Sequence, residues 1–206
     1  MKFGISFFPN VGLGEKSGRD YWNEALSLVD LCDPLKFSHV RTVEHYFHPY
    51  GGYSPNPMVF LSAASQRTRK ARLVTGAVLP AFNNPLKLAG EAAMLDSISG
   101  GRLDLGVARA FLPHEFERFG ISLDTSRARY EEGIDQLEAL LTEENVTKAG
   151  QFYRFSGVTS LPRPAQQPRP PIWVAATTNA QTFEFAGRNG NMCMANPIGG
   201  AALHEL

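Results

Sequence analysis

The chain has 206 residues, of which 43% are hydrophobic, so its size and composition are ordinary for one globular domain with a sizeable core. Its 20 lysines and arginines balance 20 aspartates and glutamates, which gives no indication of a nucleic-acid partner. Two distant cysteines, no signal-peptide pattern and no apolar run long enough to cross a membrane together predict a cytoplasmic protein without a disulfide framework.

Strands and helices are predicted to alternate through the first half of the chain. Apolar spacing predicts strands at residues 2–8, 39–43, 71–79 and 103–107. It predicts helices at residues 20–32, 57–64 and 85–95, the last two beginning at prolines. Gly100 and Gly101 follow the third helix, and glycines there allow the positive φ that ends a helix.

The second half continues the alternation after an irregular segment that runs to residue 124. A helix capped by Ser126 is predicted to extend to Leu141, and residues 152–158 form either a hairpin or an extended segment. A proline-rich connection leads to a fifth strand at residues 171–176, a helix at 181–187 and the beginning of a sixth strand at 193–195.

Such alternation is typical of a parallel sheet with right-handed crossovers, in either a doubly wound sheet or a barrel. An eight-stranded barrel usually needs about 250 residues. We therefore expect residues 1–206 to be a single domain that forms the N-terminal portion of a larger barrel, or an incomplete barrel with five or six strands.

Polar and small residues lie at or near the carboxyl ends of four predicted strands. They are Glu44, His45, Thr75, Gly76, Arg109, Thr178 and Asn179. Parallel α/β proteins bind ligands at this end of the sheet. Arg109 and the donors at a helix start would together suit a phosphate monoester of a cofactor. Gly100 and Gly101 precede a strand and lie at the opposite end, so they are not expected to cradle phosphate.

Simpler interpretations of the same residues stay open at this point. Arg109 could form a surface ion pair, and His45 could be hydrogen-bonded at the end of its strand. Thr178 and Asn179 are good helix caps even without a ligand. Glu44, His45 and His48 are a weak metal pattern that no other residue completes, so no metal site is expected.

Several stretches carry a wider pattern. They are the Glu-His pair at residues 44–45, Asn-Pro at 84–85, Leu-Asp-Ser-Ile-Ser-Gly-Gly-Arg at 95–102, Gly-Val-Ala-Arg at 106–109, Phe-Glu-Arg-Phe-Gly at 116–120 and Pro-Ile-Trp-Val-Ala-Ala at 171–176. Together they resemble the bacterial luciferase-like family of flavin-dependent monooxygenases, and the similarity covers nearly the whole chain.

The resemblance implies a (β/α)8 TIM barrel of luciferase-like type, here truncated after five or six strands. It implies an enzyme, often a homodimer or heterodimer, that takes reduced FMN from a separate flavin reductase. Dioxygen and the reduced flavin then oxygenate a small organic substrate such as an aldehyde. Relatives of the same fold suggest two alternatives, which are a deazaflavin-coenzyme-dependent oxidoreductase and a non-catalytic flavin-binding remnant.

The resemblance also assigns roles to individual residues. His45 matches the active-site histidine near the reacting flavin and would act as an acid or base. The remaining matches are to cofactor-binding positions: Arg109 with Thr178, Asn179 and Thr182 at the FMN phosphate, Thr75 and Gly76 beneath the flavin ring, and Glu44 and Ala108 beside it. The sequence departs from the family pattern at Tyr46, where a second histidine is usual, and at Ala110, where glycine is usual.

Overall fold

The computed structural model describes residues 1–177 and 179–195. The strands are β1 (Gly4–Phe7), β2 (His39–Thr42), β3 (Arg72–Thr75), β4 (Leu103–Val107), β5 (Val146–Ala149), β6 (Arg154–Val158), β7 (Ile172–Ala176) and β8 (Met192–Ala195). The helices are α1 (Gly18–Val29), α2 (Pro57–Ser65), α3 (Pro85–Ser99), α4 (Pro113–Arg118), α5 (Ser126–Thr142) and α6 (Ala180–Arg188).

Six strands form one parallel sheet in the order β1-β2-β3-β4-β7-β8. The sheet curls into part of a barrel and stays open between β1 and β8 in the described part of the chain. The predicted alternation and parallel sheet are therefore confirmed. The strands β5 and β6 pair separately as an antiparallel hairpin.

The helix boundaries follow from local chemistry. Asn56 and Asn84 cap the starts of α2 and α3, each accepting a backbone N–H two residues on, and proline occupies the first turn of both helices. Gly100 ends α3 in the left-handed conformation with φ 67°, as the glycine pair predicts. Ser126 is the first residue of α5, and the capping position belongs to Thr125.

The main core lies between the outer face of the sheet and the helices. It contains apolar residues from β2, β3, β4 and β7 and from α2, α3 and α5, among them Val40, Leu73, Leu105, Val174, Leu61, Leu88, Leu137 and Leu140. Because side chains alternate along a strand, the other residues of β2, His39 and Arg41, face the inside of the curl and are half-buried.

Two segments differ from the predicted elements at the carboxyl end of the sheet. The third strand ends at Thr75 rather than at residue 79, and Val78 forms an isolated bridge with Val107. A cis peptide bond joins Gly76 to Ala77. The helix α4 forms within the stretch that was expected to be irregular, where Pro113 suits a first turn and Phe116 is buried. Both differences place residues around the cavity described below.

The described residues form six α-helices, of which α5 is the longest at 17 residues. None of those in residues 1–177 and 179–195 is long and apolar enough to cross a membrane.

Candidate active site

A cavity of about 870 Å³ opens at the carboxyl ends of the parallel strands. Seven of the residues predicted for the site line it: Glu44, His45, Gly76, Ala108, Arg109, Asn179 and Thr182. The side chain of Thr75 points elsewhere, because its hydroxyl donates to the carbonyl of Gly106 at 2.8 Å. Thr178 lies outside the described residues.

The imidazole of His45 contacts a buried carboxylate through its Nδ1 atom. Its Nδ1 lies 3.2 Å from Oε1 of Glu115, which is fully buried at the start of α4. The same oxygen accepts the backbone N–H of Tyr46 at 2.8 Å, whereas Oε2 has no partner among the described residues. An Nδ1–H that donates to this carboxylate leaves Nε2 of the neutral ring as a proton acceptor. Glu115 lies 70 residues from His45, and no spacing rule in the sequence links them.

The glycine-rich loop after β2 packs directly on this histidine. The backbone N–H of His45 donates to the carbonyl of Ser54 at 3.1 Å, and the Ser54 hydroxyl donates to the carbonyl of Val43 at 2.6 Å. Gly51 has φ 79°, and a Cβ there would lie 2.6 Å from Cδ2 of His45. Glycine at this position therefore allows the loop to close against the imidazole.

Three aromatic side chains surround the exposed side of the imidazole. The ring centroids of Phe8, Tyr50 and Phe111 lie 5.8, 5.3 and 6.0 Å from that of His45. All three line the cavity and are partly exposed. The mouth of the cavity thus offers aromatic surface to a planar or apolar ligand.

Glu44 is buried beside His45 in a separate hydrogen-bond cluster. Its carboxyl group accepts from the Tyr46 hydroxyl, from Asn83 Nδ2 at 2.8 Å and from the backbone N–H of Leu79 at 3.2 Å. Burial raises the pKa of Glu44 to about 7, although these three donors oppose that shift. Burial and the neighbouring Glu44 also raise the pKa of Tyr46. Tyr46, which stands where the resemblance in the sequence leads one to expect a second histidine, thus donates its hydroxyl hydrogen bond to Glu44.

The opposite side of the cavity carries cations and a helix start. Arg109 is exposed just beyond β4, and its guanidinium makes no hydrogen bond to the described residues. Asn179 is the N-cap of α6 but makes no side-chain cap bond, and Thr182 lies in the first turn. Arg127 from α5 lines the same side. A helix N-terminus and a guanidinium that has no partner among the described residues together form a suitable anion site.

The inner wall between these two sides depends on glycine and on Arg41. A side chain at Gly76 would collide with Arg41, and one at Gly106 would collide with the carbonyl of Thr75. Nη2 of Arg41 donates to the carbonyl of Gly76 at 2.9 Å, while its buried Nε has no partner. Arg41 was not predicted as a site residue, although strand alternation in β2 would have indicated its inward orientation.

Metal chemistry has no support from the described residues. They contain no group of three or more histidine, cysteine, aspartate or glutamate side chains that could hold an ion.

Comparison with known proteins adds to this geometry. The family model for luciferase-like monooxygenases matches residues 1–206. The oxygenase component of a flavin-dependent trigonelline monooxygenase from Acinetobacter baylyi is 36% identical over 200 residues, which cover 96% of this chain and 55% of the relative.

Two solved structures share the fold. The monooxygenase RslO1 from Streptomyces bottropensis has 57% sequence identity and a TM-score of 0.91, over 94% of this chain and 59% of that one. The oxygenating constituent of 3,6-diketocamphane monooxygenase from Pseudomonas putida, solved with FMN, has 21% identity and a TM-score of 0.85, over 95% and 57% of the two chains. The chain thus spans little more than half the length of these relatives.

Proposed function

Because the chain belongs to the luciferase-like monooxygenase family, we propose that it provides the flavin cavity of an FMN-dependent monooxygenase. Reduced FMN would come from a separate reductase, and dioxygen would be used to oxygenate a small organic substrate. One observation carries the proposal: the same cavity is lined by His45, which Glu115 contacts, and by Arg109 and the start of α6, and the Arg109 guanidinium has no partner among the described residues.

The shape of the cavity suits a flavin mononucleotide. Its volume of about 870 Å³ lies in the range of pockets that enclose drug-sized ligands, roughly 300–1,000 Å³. Gly76 lines the cavity without a side chain of its own, and the space that its Cβ would take is filled by Arg41. Ala108 presents only a methyl group to the same space.

The phosphate would bind at the Arg109 side. A guanidinium can donate two parallel hydrogen bonds to phosphate oxygens, and the start of α6 adds positive potential. Asn179 and Thr182 supply further polar groups at that helix start. The sequence places Thr178 in the same group.

The bound flavin supplies the oxygen chemistry, and the protein positions it, excludes water and handles protons. His45 is the proton-handling residue, because Glu115 holds its Nδ1 and leaves Nε2 directed away from that carboxylate. The aromatic rings of Phe8, Tyr50 and Phe111 would exclude water and contact a small organic substrate such as an aldehyde.

The test is an anaerobic titration of the chain with reduced FMN and with a reduced deazaflavin coenzyme, followed by mixing with oxygenated buffer. We expect tighter binding of reduced FMN and oxygen uptake by the bound flavin. His45→Asn should bind FMN normally but change the rate of oxygen uptake by roughly 100-fold or more, the scale of general acid–base catalysis.

Other outcomes would select other functions. Binding of the deazaflavin coenzyme alone, without oxygen uptake, would show a hydride-transfer enzyme. Binding of FMN with oxygen uptake indifferent to His45→Asn would show a flavin-binding chain without this catalysis.

A further inference from the structure

Arg41 places a positive charge in the cavity, and no carboxylate of the described residues pairs with it. Its guanidinium makes one hydrogen bond, from Nη2 to the carbonyl of Gly76 at 2.9 Å. Nε is buried and unpartnered, and within residues 1–177 and 179–195 the side chain forms no ion pair. Burial lowers the pKa of Arg41, and no neighbouring carboxylate raises it.

Two other half-buried arginines have partners of a kind that Arg41 lacks among the described residues. Arg72 donates to both oxygens of Asp104, each at 2.7 Å. Arg129 also has an unpartnered Nε, but its guanidinium stacks over the ring of Phe152 at 4.5 Å. A buried charge is costly unless it is paired, so the state of Arg41 indicates a partner that enters the cavity from outside.

We propose that Arg41 is a second anion-binding group of this cavity, which takes a planar anion with two acceptor atoms. The proposal rests on the proposed flavin function and is separate from the phosphate site. Arg41 lies before the end of β2 and Arg109 beyond the end of β4, two strand spacings away, which is about 10 Å. The two guanidinium groups therefore extend from different strands of the cavity wall.

Two chemical sources can supply a planar anion here. Reduced flavin carries delocalised negative charge over a ring nitrogen and the adjacent carbonyl, and a cation close to that edge favours the reduced form. A carboxylate on the substrate presents the same pair of oxygen acceptors to a guanidinium fork. Nε lies closed off against the backbone of Gly76, so such a group would meet the Nη1 and Nη2 end of the guanidinium, where Nη1 makes no hydrogen bond to a described residue.

The experiment compares wild type with Arg41→Met and Arg41→Lys, and uses Arg19→Met, at an exposed position of α1, as the matched control. Dissociation constants are first measured anaerobically for oxidised FMN and for reduced FMN. They are then measured for benzoate and for its neutral analogue benzamide, each in the presence of oxidised FMN. Arg41→Met should reduce either the preference for reduced FMN or the affinity for benzoate by about 10- to 100-fold. Arg41→Lys keeps the charge but cannot donate two parallel hydrogen bonds from one planar group, so its loss should lie between zero and that of Arg41→Met.

The pattern identifies the source of the anion. A change confined to reduced FMN assigns Arg41 to the flavin, and a change confined to benzoate, with benzamide unaffected, assigns it to a substrate carboxylate. If neither changes, the proposal is wrong.

Thermal unfolding without ligand separates the proposal from a structural role. Removing an unbalanced charge should leave the melting temperature of Arg41→Met at or above that of wild type. A lower melting temperature with unchanged anion binding would show that Arg41 pairs within the chain and would overturn the proposal. If wild type binds no FMN at all, the proposed function fails, while the benzoate arm still tests Arg41.

Discussion

The two ends of the parallel sheet use charged residues in opposite ways. At the amino end, Asp96 accepts hydrogen bonds from the backbone N–H of Leu103 and from both the backbone and the side-chain amide of Gln166. Arg102 donates to three backbone carbonyls and to the Thr68 hydroxyl. Each of these charged groups is satisfied inside the protein.

At the carboxyl end of the sheet, by contrast, several charged side chains have polar atoms without a hydrogen-bond partner among the described residues. Nε of Arg41 and Oε2 of Glu115 are buried without partners, and the guanidinium of Arg109 bonds to none of the described residues. Arg41 and Arg109 line the cavity without an ion pair to any described residue, which leaves their guanidinium groups available to an anionic ligand. The amino end therefore holds the fold together, and the carboxyl end is prepared for binding.

The largest effect should come from breaking the amino-end network. Asp96→Ala leaves three donors without acceptors, and we expect it to lower the free energy of unfolding by about 4 kcal/mol. Urea unfolding measures this, and Glu91→Ala, on the surface of the same helix, should cost less than about 1 kcal/mol. Equal effects of the two substitutions would remove the distinction between the two ends.

Glu44 should make stability depend on pH at the carboxyl end. Its folded pKa of about 7 exceeds its ordinary value of 4.5, so folding favours the protonated form and this contribution is lost as pH rises from about 4.5 through 7. Glu44→Gln removes the titration, and its stability relative to wild type should rise by about 2 to 3 kcal/mol between pH 5 and pH 8.

Urea unfolding at both pH values checks this, with Glu24→Gln at an exposed position as the control. A constant difference between wild type and Glu44→Gln would show that Glu44 does not titrate in that range.

The smallest effect concerns the imidazole of His45. Nitrogen-15 NMR should show that the Nδ1 atom of the imidazole carries a proton, held by Glu115. Glu115→Gln should weaken that preference and cost about 1 kcal/mol of stability, because an amide is a weaker acceptor than a carboxylate. Glu117→Gln, exposed on the same helix, should change neither. A wild-type ring protonated on Nε2 alone would contradict the role given to Glu115.

The sequence predicts what depends on neighbours along the chain. Strand alternation and helix caps place His45 and Arg109 at one end of the sheet, and Gly100 adopts the predicted left-handed turn. The partnership of His45 with Glu115 escapes such reasoning, because it requires α4 to fold back across 70 residues. Sequence reasoning also cannot predict that Arg41 lacks an ion-pair partner among the described residues, because this depends on which carboxylates the fold brings near it.

The account rests most directly on Arg109 and the phosphate group. FMN and riboflavin differ only in that phosphate, so their dissociation constants from wild type and Arg109→Ala isolate its contribution. We expect wild type to prefer FMN by about 10- to 100-fold, and Arg109→Ala to lose most of that preference with its riboflavin affinity unchanged. An Arg109→Ala variant that keeps the full preference for FMN would show that the phosphate binds elsewhere.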